Sequence, residues 1–438
     1  MTDWRALIAK HLAAHPMAPP PEKARYWWPL ATPDLTADDI AAALAVLLSG
    51  NTTCWHEVAE FEREFAERFA PGREAVMVNS GSSANLLAAE LLARRIGRGA
   101  EVVIPAVTWP THAWAALQAG LRVRFCDVHP DRFVATPATV DAAATPETRA
   151  VWLVHPLGIV ADVLSLREVA AHRGWTLAED CCDALGARDV AGGRVGAGTL
   201  AGTFSFFLSH ALTTLEGGMV VVDRGHAPAL RAWRSHGWAR DLRDGPAKRV
   251  LTGGNEGPFV FADTGWNLRP TEVQAAIGRA QLARWPATAG WREERAVWWR
   301  HVVGTVAMAV PEIGLRLPPA PMTGRDAFHG LPFHAPGYAE PLCRALNRAG
   351  VETRPVLAGD MTAQPAVRAL VAAGRVSWRG SDEGRPLPAA RAVHLTARYL
   401  GLLPHATEAM RDRLADAFLT ACRAARDRPA FSKEAGDA

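Results

Sequence analysis

The six cysteines of this 438-residue chain, Cys54, Cys126, Cys181, Cys182, Cys343 and Cys422, form no CxxC pair and stand at no zinc spacing from a histidine. A structural zinc site and a disulfide framework are therefore not expected. Cys181 and Cys182, adjacent on a strand, would point to opposite faces, so they read as buried thiols in a reducing compartment. No stretch reaches membrane-spanning length, and the start, Met1 to Arg5, lacks the apolar core of a signal peptide. The expectation is a cytoplasmic protein without a membrane partner. The formal charge is only +3, with no basic run, so nucleic acid is not an expected partner either. Internal repeats are lacking too. What remains is ordinary globular composition, 49% apolar and 21% charged, on a chain long enough for a large domain and a smaller one.

The most informative stretch runs from Gly202 to Gly218. Thr203 to Phe207 reads as a buried strand that empties into a polar loop and returns at Met219 to Val222 as a second strand. Such an end is where α/β sheets place ligands. His210, in the loop, is its one side chain able to move protons near neutral pH.

Around this stretch the pattern alternates. Thr36 caps a helix from Ala37 to Leu48, and a second amphipathic helix covers Val58 to Phe69. Strands are expected at Ala75 to Val78, Glu101 to Ile104, Arg122 to Asp127, Val151 to Val154 and Thr176 to Asp180, with helices between most of them. This argues for an α/β fold with a large, doubly wound, mostly parallel sheet. His236 to Gly257, rich in Gly, Arg and Asp, reads as a mobile loop. A helical pattern from Arg269 breaks at Pro286 and resumes to about Val303. Beyond it the reading is a smaller α+β domain with a strand near Phe328 to Pro332 and a closing helix from Ala406 to Ala425. The expected division is an arm over residues 1–30, a large domain over 31–285, a small one over 286–426 and a disordered tail over 427–438.

Parallel strands would gather their polar ends on one edge: Thr108 with Trp109, His155, Asp180, and Ser205 with the His210 loop. The turn Asn79 to Ser83 precedes an apolar helix, which offers backbone N–H groups to an anion. A phosphate cradle, an aromatic plate and a carboxylate together suit a planar, phosphorylated, basic heterocycle. Pyridoxal phosphate (PLP) meets that description. Taken singly, each residue reads more readily as core, cap or backbone partner.

The segments Asn79 to Leu86, Ile104 to Trp109, Glu179 to Ala187, Ser205 to Gly218, Arg234 to Gly237 and Asn267 to Gly278 resemble, in this order, the DegT/DnrJ/EryC1/StrS sugar aminotransferase family. The likeness runs from about Trp28 to Phe418. It implies the aspartate-aminotransferase-like fold of type I PLP-dependent transferases and a homodimer with shared active sites. Gly81, Ser82 and Ser83 at the helix start, with Ser205, would hold the cofactor phosphate. Trp109 would stack on the pyridine ring and Asp180 pair with its nitrogen. Asp183 stands where ordinary members carry Gln, near the ring hydroxyl, and Asn267 would reach the phosphate from the neighbouring subunit.

One departure decides the expected chemistry. Family aminotransferases read Ser-Phe-x-x-x-Lys, and that lysine anchors the cofactor as a Schiff base. Counted from Ser205, the position falls on His210. A subgroup shares the change: the sugar 3-dehydratases, whose members tend to read as Cys182 to Gly186 does here. The resemblance then implies pyridoxamine phosphate (PMP) as the working cofactor, a nucleotide-linked 4-keto-6-deoxyhexose as substrate, His210 as base, loss of the C3 hydroxyl, and glutamate as amino donor. One branch of the subgroup carries an iron–sulfur cluster on closely spaced cysteines after the Glu-Gly-Gly run. Here only Cys343 and Cys422 follow, far apart, so neither cluster nor other metal is expected. Two other readings are an aminotransferase or related PLP enzyme acting on a different keto substrate, and a lysine-less binding protein. The intact set Ser82, Trp109, Asp180, Ser205 and Asn267 argues against the last. Trp55, Ile159 with Val160, and Asp360 depart from the family pattern and bear on substrate choice. Arg354, before Pro355, reads equally as a carboxylate or phosphate ligand and as a surface ion pair.

Overall fold

The structure, a computed structural model, describes residues 3–14, 25–242, 245–255, 257–320, 325–381 and 384–427. Its frame is a sheet of short, Val-rich segments buried on both faces, the pattern of strands covered by helices on either side. In chain order these are β1 (Glu74–Val78), β2 (Glu101–Pro105), β3 (Arg122–Cys126), β4 (Thr148–Val154), β5 (Thr176–Asp180), β6 (Ala201–Ser205) and β7 (Gly218–Val222). Later come β8 (Leu331–His334), β9 (Thr353–Pro355), β10 (Val376–Trp378) and β11 (Ala397–Leu400). The eight-stranded sheet has the order β1-β7-β6-β5-β4-β2-β3-β10, and β8-β11-β9 form a separate sheet. Within the large sheet only β7 runs antiparallel to its neighbours β1 and β6. The expected mostly parallel α/β sheet is therefore present, and the carboxyl ends of β1, β2, β4, β5 and β6 share one edge.

Caps fix the helices that frame this edge. Thr36 forms a capping box with Asp39 ahead of the helix Ala37–Ser49. The Ser80 hydroxyl accepts from the Ser83 N–H and opens the helix Gly81–Ile96, three residues earlier than the apolar run suggests. The helical break expected at Pro286 falls instead at Arg284. Helices span Glu272–Ala283 and Trp285–Ala309, and Pro286 lies in the first turn of the second, where its missing N–H costs nothing. His236 to Gly257, expected as a mobile loop, carries a 3-10 turn at Ala239–Asp241 and the helix Pro246–Thr252 among its described residues. The strand expected near Phe328 to Pro332 is β8, shifted toward His334.

Among the described residues two large hydrophobic cores are built, beside a small cluster around Ala232, Ala239 and Leu242. One surrounds the large sheet. The other gathers Trp299, Phe333, Leu342, Phe418 and Cys422 with Trp27 and Trp28, which the reading had placed in an arm. The Trp28 indole N–H donates to the Gly401 carbonyl at 3.0 Å, tying that segment to the C-terminal part of the chain. β10, although from that C-terminal part, pairs with β3 in the large sheet. The tail from residue 428 lies outside the described residues.

Candidate active site

A cavity of about 340 Å³ opens at the carboxyl edge of the large sheet. Gly81, Ser82, Trp109, Asp180, Asp183, Ser205 and His210 all line it, seven of the nine residues singled out from the sequence. Ser83 does not: its hydroxyl donates to Asn79 Oδ1 at 2.6 Å, inside the turn. Asn267 lies outside the cavity on the exposed surface, its Oδ1 accepting from Arg269 at 3.1 Å. His155, expected at the same edge, is fully buried and bonded to Glu179 at 3.1 Å. Period-two alternation explains this, since Glu179 and Asp180 are neighbours on β5 and face opposite sides of the sheet. Burial works to raise the Glu179 carboxyl, and the hydrogen bond and charge of His155, the Gly196 N–H and Arg167 together outweigh it, leaving the acid below its usual range.

The floor of the cavity is Asp180. Its Oδ1 accepts the Cys182 N–H at 3.0 Å and its Oδ2 accepts from the Asn85 amide at 2.8 Å. Asn85 is in turn fixed by the Thr203 hydroxyl, which donates to Asn85 Oδ1 at 2.6 Å. The sequence offered one clue to Asn85: a lone amide on the apolar face of a helix must find a partner when buried. Gly81 is required sterically, because a Cβ there would come within 2.7 Å of Ser205 Cβ. The first backbone N–H groups of the helix Gly81–Ile96 are thus left open to an anion beside Ser82 and Ser205. Trp109, half exposed, forms one side of the cavity.

The cavity also holds a cluster that no sequence spacing signalled. Nδ1 of His210 and Nδ1 of His329 each lie 3.8 Å from Asp183 Oδ1, and the two imidazole rings are 4.8 Å apart. His329 arrives from a segment more than a hundred residues later. It is pinned by its N–H donating to the Leu157 carbonyl at 2.9 Å, while Arg292 donates to the Phe328 carbonyl at 2.7 Å. The adjoining Gly158, at φ +75°, allows no side chain, because a Cβ would fall 1.9 Å from the Ala327 carbonyl oxygen. Asp183 accepts the Leu157 N–H at 3.0 Å. Burial, aided by neighbouring His329, holds His210 down to about 3 against the pull of Asp183 and Asp180. Burial and Arg292 hold His329 down to about 3 as well. Burial raises the Asp183 carboxyl, with His210 opposing. At neutral pH His210 is a neutral imidazole whose Nδ1 is buried without a hydrogen-bond partner. Among the described residues no lysine lines the cavity.

Four buried histidines carry a consequence for stability. Burial holds His112 and His334 down to about 4, the first against Asp180 and the second together with Arg316. His210 and His329 are lower still. Unfolding returns each to about 6.5, so between these values the unfolded chain binds more protons. Their contribution to stability is complete above about pH 6.5 and is lost as pH falls toward 4. Each histidine adds a slope of about 1.4 kcal/mol per pH unit in that window. Denaturant midpoints from pH 7.5 to 4.5 are expected to fall steeply below pH 6.5. A flat profile would show that these imidazoles are protonated in the native state.

Trp55, Ile159, Val160 and Asp360, the departures from the family pattern, do not line the cavity. Ile159, Val160 and Asp360 are buried in the fold, and Trp55 is two-thirds exposed. Asp360 caps a turn by accepting the Thr362 N–H at 2.9 Å.

An anion cradle at a helix start, an aromatic wall and a doubly bonded carboxylate on this sheet define a PLP-dependent enzyme of the aspartate-aminotransferase type. Residues 33–395 match the DegT/DnrJ/EryC1/StrS aminotransferase family, and the chain belongs to it. It is 32% identical over 347 residues to the GDP-4-keto-6-deoxy-D-mannose 3-dehydratase of Yersinia pseudotuberculosis, covering 76% of this chain and 85% of that one. The E. coli GDP-4-keto-6-deoxy-D-mannose-3-dehydratase, solved with bound hydrated PLP, superposes with a TM-score of 0.78 at 27% identity, over 89% of this chain and 99% of that one. Another GDP-4-keto-6-deoxymannose-3-dehydratase structure, with glutamate trapped on PLP, gives 0.74 at 26% identity, over 91% of this chain and 99% of that one.

Proposed function

We propose that this protein is a PMP-dependent nucleotide-sugar 3-dehydratase, a lyase that removes the C3 hydroxyl of a nucleotide-linked 4-keto-6-deoxyhexose to give a 4-keto-3,6-dideoxyhexose. The observation that carries the reading is His210: a neutral imidazole faces the cavity at the position of the family's lysine, and no lysine lines that cavity among the described residues. The similarity to two 3-dehydratases supports it.

When bound, the cofactor supplies a primary amine and a ring that accepts electrons. The chain's residues do the rest. The N–H groups at Gly81 and Ser82, with the Ser205 hydroxyl, hold the phosphate; Ser83 acts through the turn, holding Asn79. Trp109 plates the ring. Asp180, kept in place by Asn85 and the Cys182 N–H, pairs with the ring nitrogen and sustains its positive charge. Asp183, which lines the cavity, would stand near the ring hydroxyl. His210 takes a proton from the carbon bearing the cofactor's amine, and an imidazole, unlike a lysine, forms no stable covalent link there. Glutamate would restore the amine, giving up its own amino group and leaving as 2-oxoglutarate. The enzyme works as a cytoplasmic homodimer, and exposed Asn267 is offered to the partner's phosphate site. The cofactor domain spans 31–285 and the small domain 286–426, with Trp27 and Trp28 packed into the core of the latter and its β10 added to the large sheet.

The test is mass spectrometry of the sugar after incubation with PLP, glutamate and GDP-4-keto-6-deoxymannose, with ammonia assayed in parallel. Loss of the C3 oxygen with release of ammonia is expected. A 4-amino sugar that keeps its C3 oxygen would show an aminotransferase instead.

A further inference from the structure

We propose that a second cavity, walled by a cross-strand row of three arginines, binds a multiply charged anion of the phosphate class, apart from the cofactor site.

The row is set by backbone register. Arg188 is bridged antiparallel to Arg194 on one side and to Arg325 on the other. With Arg325 it exchanges both backbone hydrogen bonds, at 3.0 and 3.1 Å. Directly opposed residues of antiparallel segments project to one face, so the three side chains stand side by side. All three line a cavity of about 390 Å³. Like charges placed directly opposite one another are destabilising, and a row of three calls for a counter-charge.

The wall does not supply it. Arg292 and Arg300 face the same cavity from the helix Trp285–Ala309, with small Ala296 midway between them on that side of the helix. Five arginines therefore meet two carboxylates, an excess of three positive charges. Both carboxylates are already engaged, Glu293 with Arg325 and Asp326 with Arg132 at 3.1 Å. Arg188, Arg194, Arg292 and Arg300 form no ion pair with a described residue. Arg188 and Arg194 donate to the carbonyls of Gly192 and Gly186, which leaves their charge uncompensated. Residues 321–324, Pro-Met-Thr-Gly, add no carboxylate. Burial, together with Arg188, Arg68 and Arg325, holds the Arg194 guanidinium below its usual value, as expected beside unneutralised like charge.

The size of the excess selects the class. A carboxylate brings one charge to one guanidinium fork. A phosphate brings about two charges and three acceptor oxygens, and a diphosphate more, enough for forks that arrive from several segments. Trp285 and Phe328 add an apolar side, where Arg300 rests on the Phe328 ring at 5.0 Å. The two cavities share no lining residue, yet consecutive residues wall them: Phe328 lines this one and His329 the other.

The test uses PLP-loaded protein, so that the cradle beside Ser82 is taken by the cofactor's own phosphate. Calorimetry at fixed ionic strength is expected to show one saturable pyrophosphate site per chain. Arg188→Gln and Arg194→Gln should each weaken it by roughly 10- to 100-fold, the usual loss for a charge-assisted hydrogen bond, and leave PLP binding unchanged. Pyrophosphate should raise the thermal unfolding midpoint of the wild type and barely move those of the variants. Should either variant lose PLP, Arg300→Gln reads the same effect from the helix, since that guanidinium makes no hydrogen bond among the described residues. GDP binding that R188Q weakens in the same way would place a nucleotide's diphosphate here, whereas pyrophosphate binding without GDP would place a free anion. Succinate binding as tightly as pyrophosphate would overturn the phosphate assignment. Pyrophosphate that binds the wild type and all three variants equally, or does not bind at all, would overturn the site.

Discussion

His210→Asn is expected to lower turnover of the keto sugar by about 10²- to 10⁴-fold, the range for loss of a positioned general base. His210 is unusually suited to that role, because burial and His329 keep it neutral throughout the physiological range. Its backbone N–H donates to the Phe207 carbonyl at 2.9 Å, so the loop keeps a fixed turn whatever the side chain. The asparagine variant should therefore fold and bind PMP, and the loss should fall on kcat. Single-turnover mixing of the PMP-loaded variant with the sugar would measure it. Turnover within a few-fold of wild type would remove the imidazole from the mechanism. His210→Lys supplies a separate readout. With an amine at this position, borohydride reduction should trap the cofactor on residue 210, visible as a peptide adduct, whereas the wild type should give none. An adduct in the wild type would mean that another amine reaches the site.

Asp180→Asn is expected to cost about 10²- to 10³-fold in kcat, as removal of a preorganised electrostatic partner does elsewhere. An amide cannot sustain the charge on the ring nitrogen. The effect has a second component. Asp180 accepts at both oxygens, from the Cys182 N–H and from Asn85. Replacing either oxygen by an NH2 group sets donor against donor in a buried site, at a cost of about 1–3 kcal/mol in stability. Thermal unfolding of the cofactor-free variant reads the second component alone, and the single-turnover rate at saturating PMP reads the first. Asn85→Leu, which removes the brace but keeps the carboxylate, should be milder in rate. A D180N protein as active as wild type would show that the ring nitrogen needs no counter-charge.

How much of this was legible in the chain divides along physical lines. Strand and helix identity was legible because it is local. Val-rich runs between capped helices specify a covered parallel sheet, and Thr36 marks a helix start through a side chain that acts within three residues, whereas the apolar run from Ala84 hides the cap at Ser80. The site residues at strand ends were legible for the same reason: β1, β2, β5 and β6 each deliver their last residues to one edge once the strands are parallel. His155 was misjudged because position at a strand end does not say which face a side chain takes. Pro286 was read as a break when it opens a helix, since a proline pattern alone does not distinguish a stop from a first turn.

By itself, then, the sequence determined the sheet, the cradle at Gly81 and Ser82, the carboxylate at Asp180, and the exchange of lysine for histidine at position 210. Only the tertiary structure decided what surrounds that histidine. His329, Tyr399 and Arg354 come from the C-terminal part of the chain, and no periodicity links them to His210. They meet because the Leu157–Gly158 turn accepts the Ala327–His329 segment, and because β9 and β11 lie side by side. Burial depends on that meeting. The same imidazole alone on a loop would titrate near 6.5, and enclosed beside His329 it stays neutral.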